Sequence, residues 1–393
     1  MIKIILTILV FLIFCTQNTY AVDVTKLNPV EVLKVKSSIF KDDVEYNVTL
    51  PQSYNEDSGK NKKYFVFFDL HPRSQTYLSG MHDWLSHNGE WPWFESIIIT
   101  PAKYNPEFAK VFENIVNDPH DQTMLDFFEH DLLTAIDKEY RTNSFRIYSG
   151  FMSNGAIGLY ALLNRPNLFN AYIITSPSLA NDFAAITSEA SKKLTKLDDK
   201  MRFLYLATGN HQYEQGSLAS FDIIEKALKT SAPKSLDWQA HHNNQNNYMS
   251  QPIVSVINGI EALFDDIHSD LQADSAISKK GVNAIINYYA NLSTKKYGFD
   301  VSAEGSLKAL AKSLMAEAPE KALVIYQKIV KLYPESAYAW SSLAKAHADL
   351  SNISKAIQFQ TQAVEKSKTM IEWHQRKHKQ YLDEYTAIQN RGK

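Results

Sequence analysis

Cysteine is almost absent from this chain. Cys15 is the only cysteine among 393 residues, and it falls in an apolar N-terminal segment that we predict to be removed. The mature chain then has none, which excludes disulfides, a thiolate nucleophile and cysteine-ligated zinc. The fold must depend on burial of apolar side chains, for which a hydrophobic content of 45% is sufficient.

An excess of one charge is also missing. The 41 Lys and Arg residues against 43 Asp and Glu give a formal net charge of −2, and no long run of like charges occurs. This excludes an electrostatic basis for binding nucleic acid or a membrane surface. The sequence has no dinucleotide-binding glycine pattern, no P-loop and no H-E-x-x-H helix. We therefore expect no cofactor and no metal.

The apolar N-terminal segment has the pattern of a signal peptide. Lys3 precedes the apolar run Ile4–Phe14, and Thr19-Tyr20-Ala21 offers a cleavage site. We predict a signal peptide over residues 1–21 and a periplasmic or secreted protein. The run is shorter than the roughly 20 residues that span a bilayer, although an uncleaved anchor remains an alternative. No later segment is predicted to cross a membrane, so we expect no stable membrane insertion after cleavage.

Residues 22–264 alternate between strand and helix patterns. This alternation is typical of a mostly parallel sheet with helices on both faces, and it predicts an α/β domain over residues 22–264. The clearest predicted elements are the strands Tyr64–Phe68, Ala171–Thr175 and Phe203–Thr208 and the helices Asp126–Tyr140 and Val254–Phe264.

The C-terminal quarter of the sequence shows only helical patterns. A helical connector is predicted over residues 265–302. Beyond it, Ala322 and Ala356 are 34 residues apart, which is the tetratricopeptide period. We predict an all-α region over residues 303–393, made of two tetratricopeptide-like repeats and a capping helix. Stacked helix pairs create surfaces that bind peptides or proteins, and we expect such a partner here.

One strand-to-helix junction has the pattern of a nucleophile elbow. The strand Arg146–Ser149 leads into Gly150-Phe151-Met152-Ser153-Asn154-Gly155 and then into a helix. In G-x-S-x-G elbows, small residues flank a serine on a tight, strained turn. The position of the serine is occupied here by Met152.

The stretch from Asp131 to Pro177 resembles the esterase family that includes esterase D and the ferric-enterobactin esterases. The similarity rests on D-L-L-T-A-I-D-K-E-Y-R-T before the elbow and on L-Y-A-L-L-N-R-P-N-L-F-N-A-Y-I-I-T-S-P after it, followed by Ser178-Leu179. It implies an α/β-hydrolase fold over most of the mature chain. It also implies an ester or acyl small molecule as the ligand of the cleft.

The same resemblance implies positions for a catalytic triad. Met152 falls on the nucleophile, Tyr248 falls on the histidine, and Glu214 is the candidate acid after the strand Phe203–Thr208. A tyrosine hydroxyl, with an ordinary pKa near 10, is a poor general base at neutral pH. The loop Asp69-Leu70-His71-Pro72 is expected to supply an oxyanion donor, and Pro72 has no N–H to offer.

Two functional hypotheses follow. In the first, the chain is a non-catalytic relative of esterases with a degenerate triad, which binds a ligand or a protein. In the second, it is a secreted carboxylic-ester hydrolase with a rearranged site. That site would use Ser153 as nucleophile, His241 or His242 as base and Glu214 as acid.

Overall fold

The computed structural model describes residues 29–56, 59–87 and 89–391. The predicted signal peptide lies outside these residues. Within them, no helix combines the length and the apolar character needed to cross a membrane.

Eight strands form one mixed sheet in the order β1-β2-β4-β3-β5-β6-β7-β8. The first three strands in this order pair antiparallel, and the remaining pairs are parallel. The central strands are apolar along their whole length, as strands covered on both faces must be. The bounds are β1 Val30–Val35, β2 Val44–Thr49, β3 Tyr64–Asp69, β4 Ser96–Pro101, β5 Thr142–Phe151, β6 Ala171–Thr175, β7 Arg202–Thr208 and β8 Leu236–His242.

Helices cover both faces of this sheet. Those in the strand-rich part are α1 Ser74–Ser86, α2 Pro106–Asn117, α3 Thr123–Asp126, α4 Leu133–Glu139, α5 Ser153–Asn164, α6 Ile186–Leu194, α7 His211–Ser231 and α8 Gln251–His268. The predicted helix over 126–140 is interrupted, because a π-helical segment, Phe127–Leu132, lies between α3 and α4. Phe127 and Phe128 in this segment are buried in the core, so the predicted apolar face is kept although the helix type changes.

After α8 the described chain contains helices and no further strand. The bounds are α9 Val282–Asn291, α10 Glu304–Leu314, α11 Pro319–Leu332, α12 Ala337–Asp349, α13 Ile353–Lys366 and α14 Glu372–Arg391. A second π-helical segment, Leu292–Tyr297, extends α9.

The two faces of the sheet belong to two separate apolar clusters. One joins side chains of α2 through α7 to the sheet. The other joins α1 and α8 to the opposite face and continues without a break into α9, α10, α11 and α12. The C-terminal helices therefore share a hydrophobic core with the sheet.

Candidate functional site

Met152 occupies a strained turn between β5 and α5. It has φ 56° and ψ −120°, a conformation that a residue with a side chain rarely adopts. Its N–H donates to the carbonyl of Thr175 at 3.1 Å, and its own carbonyl accepts from the N–H of Ser178 at 3.1 Å. The turn holds the Met152 side chain 42% exposed, on the wall of a cleft.

The two elbow glycines make close backbone contacts. A Cβ atom on Gly150 would lie 2.5 Å from the carbonyl oxygen of Asn154, and one on Gly155 would lie 3.0 Å from the carbonyl oxygen of Gly150. At Gly150 the backbone cannot yield without opening the turn, whereas at Gly155 it would have to shift by a few tenths of an ångström. Packing thus requires glycine at position 150 and favours a small residue at position 155.

The cleft beside the elbow is a cavity of about 720 Å³ at the carboxyl ends of β3 and β5. This position is where ligands bind in parallel α/β sheets, and the volume is that of a small-molecule site. Most of its wall is aromatic or aliphatic, and the apolar lining includes Tyr77, Phe108, Phe112, Met124, Ile157 and Ile253.

Ser153 lies next to Met152 on the cleft wall, as the first residue of α5. Its side chain is exposed. Among the residues that the structure describes, none forms a hydrogen bond with its hydroxyl. A serine becomes nucleophilic when an adjacent base accepts its proton, and this serine has no such neighbour.

Tyr248 opens the short turn Tyr248–Ser250 that precedes α8. Its ring lies 5.1 Å from the ring of Phe151 and 6.1 Å from that of Tyr213, measured between centroids. Burial raises the pKa of the Tyr248 hydroxyl, and the negative charge of Glu214 raises it further. The phenol therefore keeps its proton at neutral pH, and it cannot accept one from a nucleophile.

Glu214 is buried in the first turn of α7. One carboxylate oxygen accepts two hydrogen bonds of 2.7 Å, from the hydroxyl of Ser176 and from the N–H of Gly209. These contacts join the loops that follow β6 and β7. The ring of the preceding residue, Tyr213, lies 6.1 Å from that of Tyr248, so the two candidate positions are near each other.

The two histidines considered as bases face opposite ways, because neighbouring strand residues alternate between faces. His241 stacks on Tyr205 at 4.7 Å between centroids and contacts the amide oxygen of Gln239 at 3.1 Å. It lines a separate polar cavity of about 520 Å³ on the face covered by α8. Burial lowers its pKa, so the ring is neutral at pH 7.

His242 points towards α7 instead. Its Nε2 lies 3.1 Å from a carboxylate oxygen of Glu225. Within the described residues, neither His241 nor His242 forms a hydrogen bond with Ser153 or Glu214. The structure thus places Met152, Ser153, Tyr248 and Glu214 around one end of the sheet and leaves both histidines outside that group.

Asp69, the first residue of the expected oxyanion loop, has a carboxyl group buried on the cleft floor for which the sequence motifs predict no role. It ends β3 and accepts hydrogen bonds from the hydroxyl of Ser149 at 2.5 Å, the hydroxyl of Ser74 at 2.6 Å and the N–H of His71 at 2.8 Å. Burial raises the pKa of Asp69, although these hydrogen bonds act in the opposite direction. Its position at the carboxyl end of an apolar strand was the available signal.

The contacts of Asp69 also bear on the expected oxyanion loop. The N–H of His71 is directed to Asp69, and Pro72 has none. An oxyanion hole needs N–H groups directed at the developing charge, so neither of these two residues can supply one here.

Comparisons with known proteins identify the fold but no family. No protein-family model and no curated protein matches the chain. Among solved structures, an IroE-like serine hydrolase from Shewanella oneidensis is similar at 19% identity and TM-score 0.55, covering 78% of this chain and 100% of that one. The BES protein from Bacillus cereus is similar at 16% identity and TM-score 0.50, over 61% and 95% of the two chains.

A third structure, an uncharacterised protein from Capnocytophaga ochracea, is similar at 15% identity and TM-score 0.62 over 91% of this chain and 100% of its own. Because 91% of this chain is covered, the similarity to this structure extends beyond α8 into the C-terminal helices. Identities this low show the fold alone. The chain has an esterase-like α/β-hydrolase fold.

Proposed function

We propose that this chain is a pseudo-hydrolase, whose cleft binds an ester or acyl molecule without cleaving it through a Ser-His-acid triad. The observation that carries the proposal is Met152 at the strained elbow. A thioether has neither the proton nor the nucleophilic oxygen that acyl transfer needs. In hydrolases the triad acts as a unit, and loss of one member lowers the rate by several powers of ten.

Tyr248, at the position that the resemblance assigns to the histidine, supports the same proposal. Tyr248 holds its proton at neutral pH, because burial and Glu214 both raise its pKa. Two independent positions therefore lack the group that catalysis requires. The N–H of His71 donates to Asp69 and Pro72 has no N–H, so these two residues of the loop offer no oxyanion donor, which also supports the proposal.

The chemistry of the cleft supports an acyl ligand. Aromatic and aliphatic side chains form most of the wall, and the carboxyl of Asp69 is buried at its floor. Transfer of acyl chains and aryl groups from water to such a surface is favourable, by roughly 25 cal/mol per Å² of apolar area buried. We propose binding through this apolar area rather than through charge.

Turnover of short-chain aryl esters tests the absence of catalysis. We expect the parent and a Ser153→Ala variant to hydrolyse p-nitrophenyl acetate and butyrate no faster than an equal amount of serum albumin. Binding is measured separately, from quenching of intrinsic fluorescence by a non-hydrolysable alkyl ketone. Saturable turnover that disappears in Ser153→Ala would instead support the alternative, an active ester hydrolase with Ser153 as nucleophile.

The C-terminal helices are proposed as tetratricopeptide-like repeats that bind a peptide or protein. Ala322, Ala344 and Ala356 are fully buried between helices, as small residues at interlocking repeat positions are. Tyr338 and Trp373 remain 40% and 57% exposed. A photo-crosslinker at position 338 should capture one reproducible partner in the native host, and a Trp373→Ser change should reduce the yield. Equal yield from a crosslinker at Trp84, which lies on α1, would contradict this.

Export to the periplasm or the medium is a further proposal, which rests on the N-terminal apolar pattern. Mass spectrometry of the protein from its native host is expected to find Val22 as the first residue. Recovery of the intact N-terminus would contradict cleavage.

A further inference from the structure

A cluster of metal-ligating side chains lies outside the cleft, between α7 and the end of β8. Asp222 and Glu225 are three residues apart, which puts them on one face of α7. His242, the last residue of β8, faces them. One potential ligand atom from each of the three lies within 4.8 Å of the others.

We propose that Asp222, Glu225 and His242 form a site for a borderline divalent cation of the zinc class. This goes beyond the cleft and does not depend on whether the cleft hydrolyses esters. One imidazole and two carboxylates are ligands that zinc accepts in proteins. Magnesium and calcium prefer all-oxygen sites, so a nitrogen ligand favours a transition metal or zinc. Two carboxylates also balance the double charge of the ion.

The spacing of the ligand atoms is close to what a zinc ion needs. Ligands at about 2.1 Å from a tetrahedral zinc ion are separated from each other by about 3.4 Å. The Nε2 of His242 and a carboxylate oxygen of Glu225 are already 3.1 Å apart. Asp222 is exposed on the helix surface. Its ligand atom lies within 4.8 Å of those of Glu225 and His242.

A second histidine stands beside the cluster. The ring of His211 lies 6.0 Å from that of His242, between centroids. Its Nε2 is buried and has no hydrogen-bond partner among the described residues. Buried polar atoms without a partner are uncommon and often mark a missing water or ion. His211 is therefore a candidate for the fourth ligand position, which water otherwise fills.

One neighbouring cation competes with a bound metal. The Nζ of Lys229 lies 2.6 Å from the other carboxylate oxygen of Glu225, one helical turn away. The lysine is exposed, so this ion pair contributes little to stability. Its charge nevertheless opposes a second cation at the same carboxylate. Removing it should tighten metal binding, whereas removing a ligand should weaken it.

Calorimetric titration of the tag-free full chain with ZnCl₂ at pH 7.5 tests the site. We expect one saturable site in the parent, and affinity reduced about tenfold or more by His242→Ala and by the pair Asp222→Asn with Glu225→Gln. Lys229→Gln should raise the affinity by roughly threefold. His130→Ala is the matched control, because its exposed ring also lies near a carboxylate, 4.0 Å from Glu129. It should leave binding unchanged.

Thermal unfolding supplies an independent readout. A ligand that binds only the folded state raises the melting temperature, so zinc should raise that of the parent and of Lys229→Gln but not that of His242→Ala. The proposal is overturned if the parent does not bind zinc, or if His242→Ala and His130→Ala bind equally. Tighter binding of Mg²⁺ than of Zn²⁺ would overturn the assigned class of ion.

Discussion

The elbow at Met152 and the segment around Tyr248 lie beside each other but are held in different ways. The elbow is fixed by the core, because a Cβ atom on Gly150 would lie 2.5 Å from a backbone oxygen, which excludes a side chain there. Gly155 also leaves little room, since its Cβ would lie 3.0 Å from the nearest backbone oxygen. The segment around Tyr248 is a surface turn, capped by the Asn247 side chain, and its neighbour Met249 is 70% exposed.

The difference separates a position held by packing from one that is not. The contacts of Gly150 hold the strained turn at Met152 in place. Position 248 has no comparable packing requirement, because it lies on an exposed turn. Under the proposed function, the elbow backbone alone is weak support for catalysis, and the side chains at 152 and 248 decide the chemistry.

The largest expected effect comes from placing serine and histidine at the two positions that the resemblance assigns to them. If the elbow backbone is a preserved frame, Met152→Ser with Tyr248→His should raise p-nitrophenyl acetate hydrolysis by about a thousandfold over the parent, since the nucleophile and its base act together. The matched control is Ser153→His with Tyr248→His, which leaves Met152 in place and should show no gain. Equal rates of hydrolysis by these two double variants would contradict the assignment of position 152 to the nucleophile.

The next effect tests the rigidity of the elbow. Gly150→Ala should lower the free energy of unfolding by about 4 kcal/mol or prevent folding, because the added Cβ meets backbone atoms. Urea denaturation measures it. Gly216→Ala on α7 is the control, since its Cβ would have no neighbour within 4 Å. That change should stabilise the protein by about 0.5–1 kcal/mol. If Gly150→Ala left the free energy of unfolding unchanged, packing would not be what fixes the elbow.

Asp69 gives a smaller effect with a definite pH dependence. Asp69→Asn should lower the free energy of unfolding by about 1–2 kcal/mol in acid, because an amide matches the three donors less well than a carboxyl. The raised pKa of Asp69 means that its proton stabilises the fold. That contribution is complete below the ordinary carboxyl range and is lost as pH rises through the raised pKa. The difference in free energy of unfolding between the parent and Asp69→Asn should therefore narrow as pH rises. Urea denaturation at several pH values measures it, and a difference that widens with pH would contradict the raised pKa of Asp69.

The smallest effect is expected at the surface turn. The Tyr248 hydroxyl has no hydrogen-bond partner among the residues that the structure describes. Tyr248→Phe should change the free energy of unfolding by less than about 0.5 kcal/mol, because the ring contacts with Phe151 and Tyr213 remain. A loss above 1 kcal/mol in the same urea assay would mean that the turn is as constrained as the elbow.

Local patterns predicted much of the fold. The range Ala171–Thr175 is a strand as predicted, and Phe203–Thr208 differs by one residue at its start. Apolar runs of this kind are readable because central parallel strands are buried on both faces. The esterase-like fold that the motifs implied is confirmed, whereas the tetratricopeptide assignment stays a prediction.

The site was less accessible from sequence, since its contacts join distant residues. The hydrogen bond between Asp69 and Ser149 spans 80 positions, and the one between Ser176 and Glu214 spans 38. Neither leaves a local pattern. The opposite directions of His241 and His242 could have been anticipated from strand alternation. The contact between Glu225 and His242 could not have been anticipated, because it depends on where α7 packs against the sheet.

The central claim, that the cleft has no working nucleophile, is tested most directly by covalent labelling. The full chain is incubated with a fluorophosphonate probe at neutral pH, and the modified residue is located by peptide mass spectrometry. The account predicts no labelled serine in the parent and labelling of residue 152 in the variant that carries Met152→Ser and Tyr248→His. Stoichiometric labelling of Ser153 in the parent would contradict it.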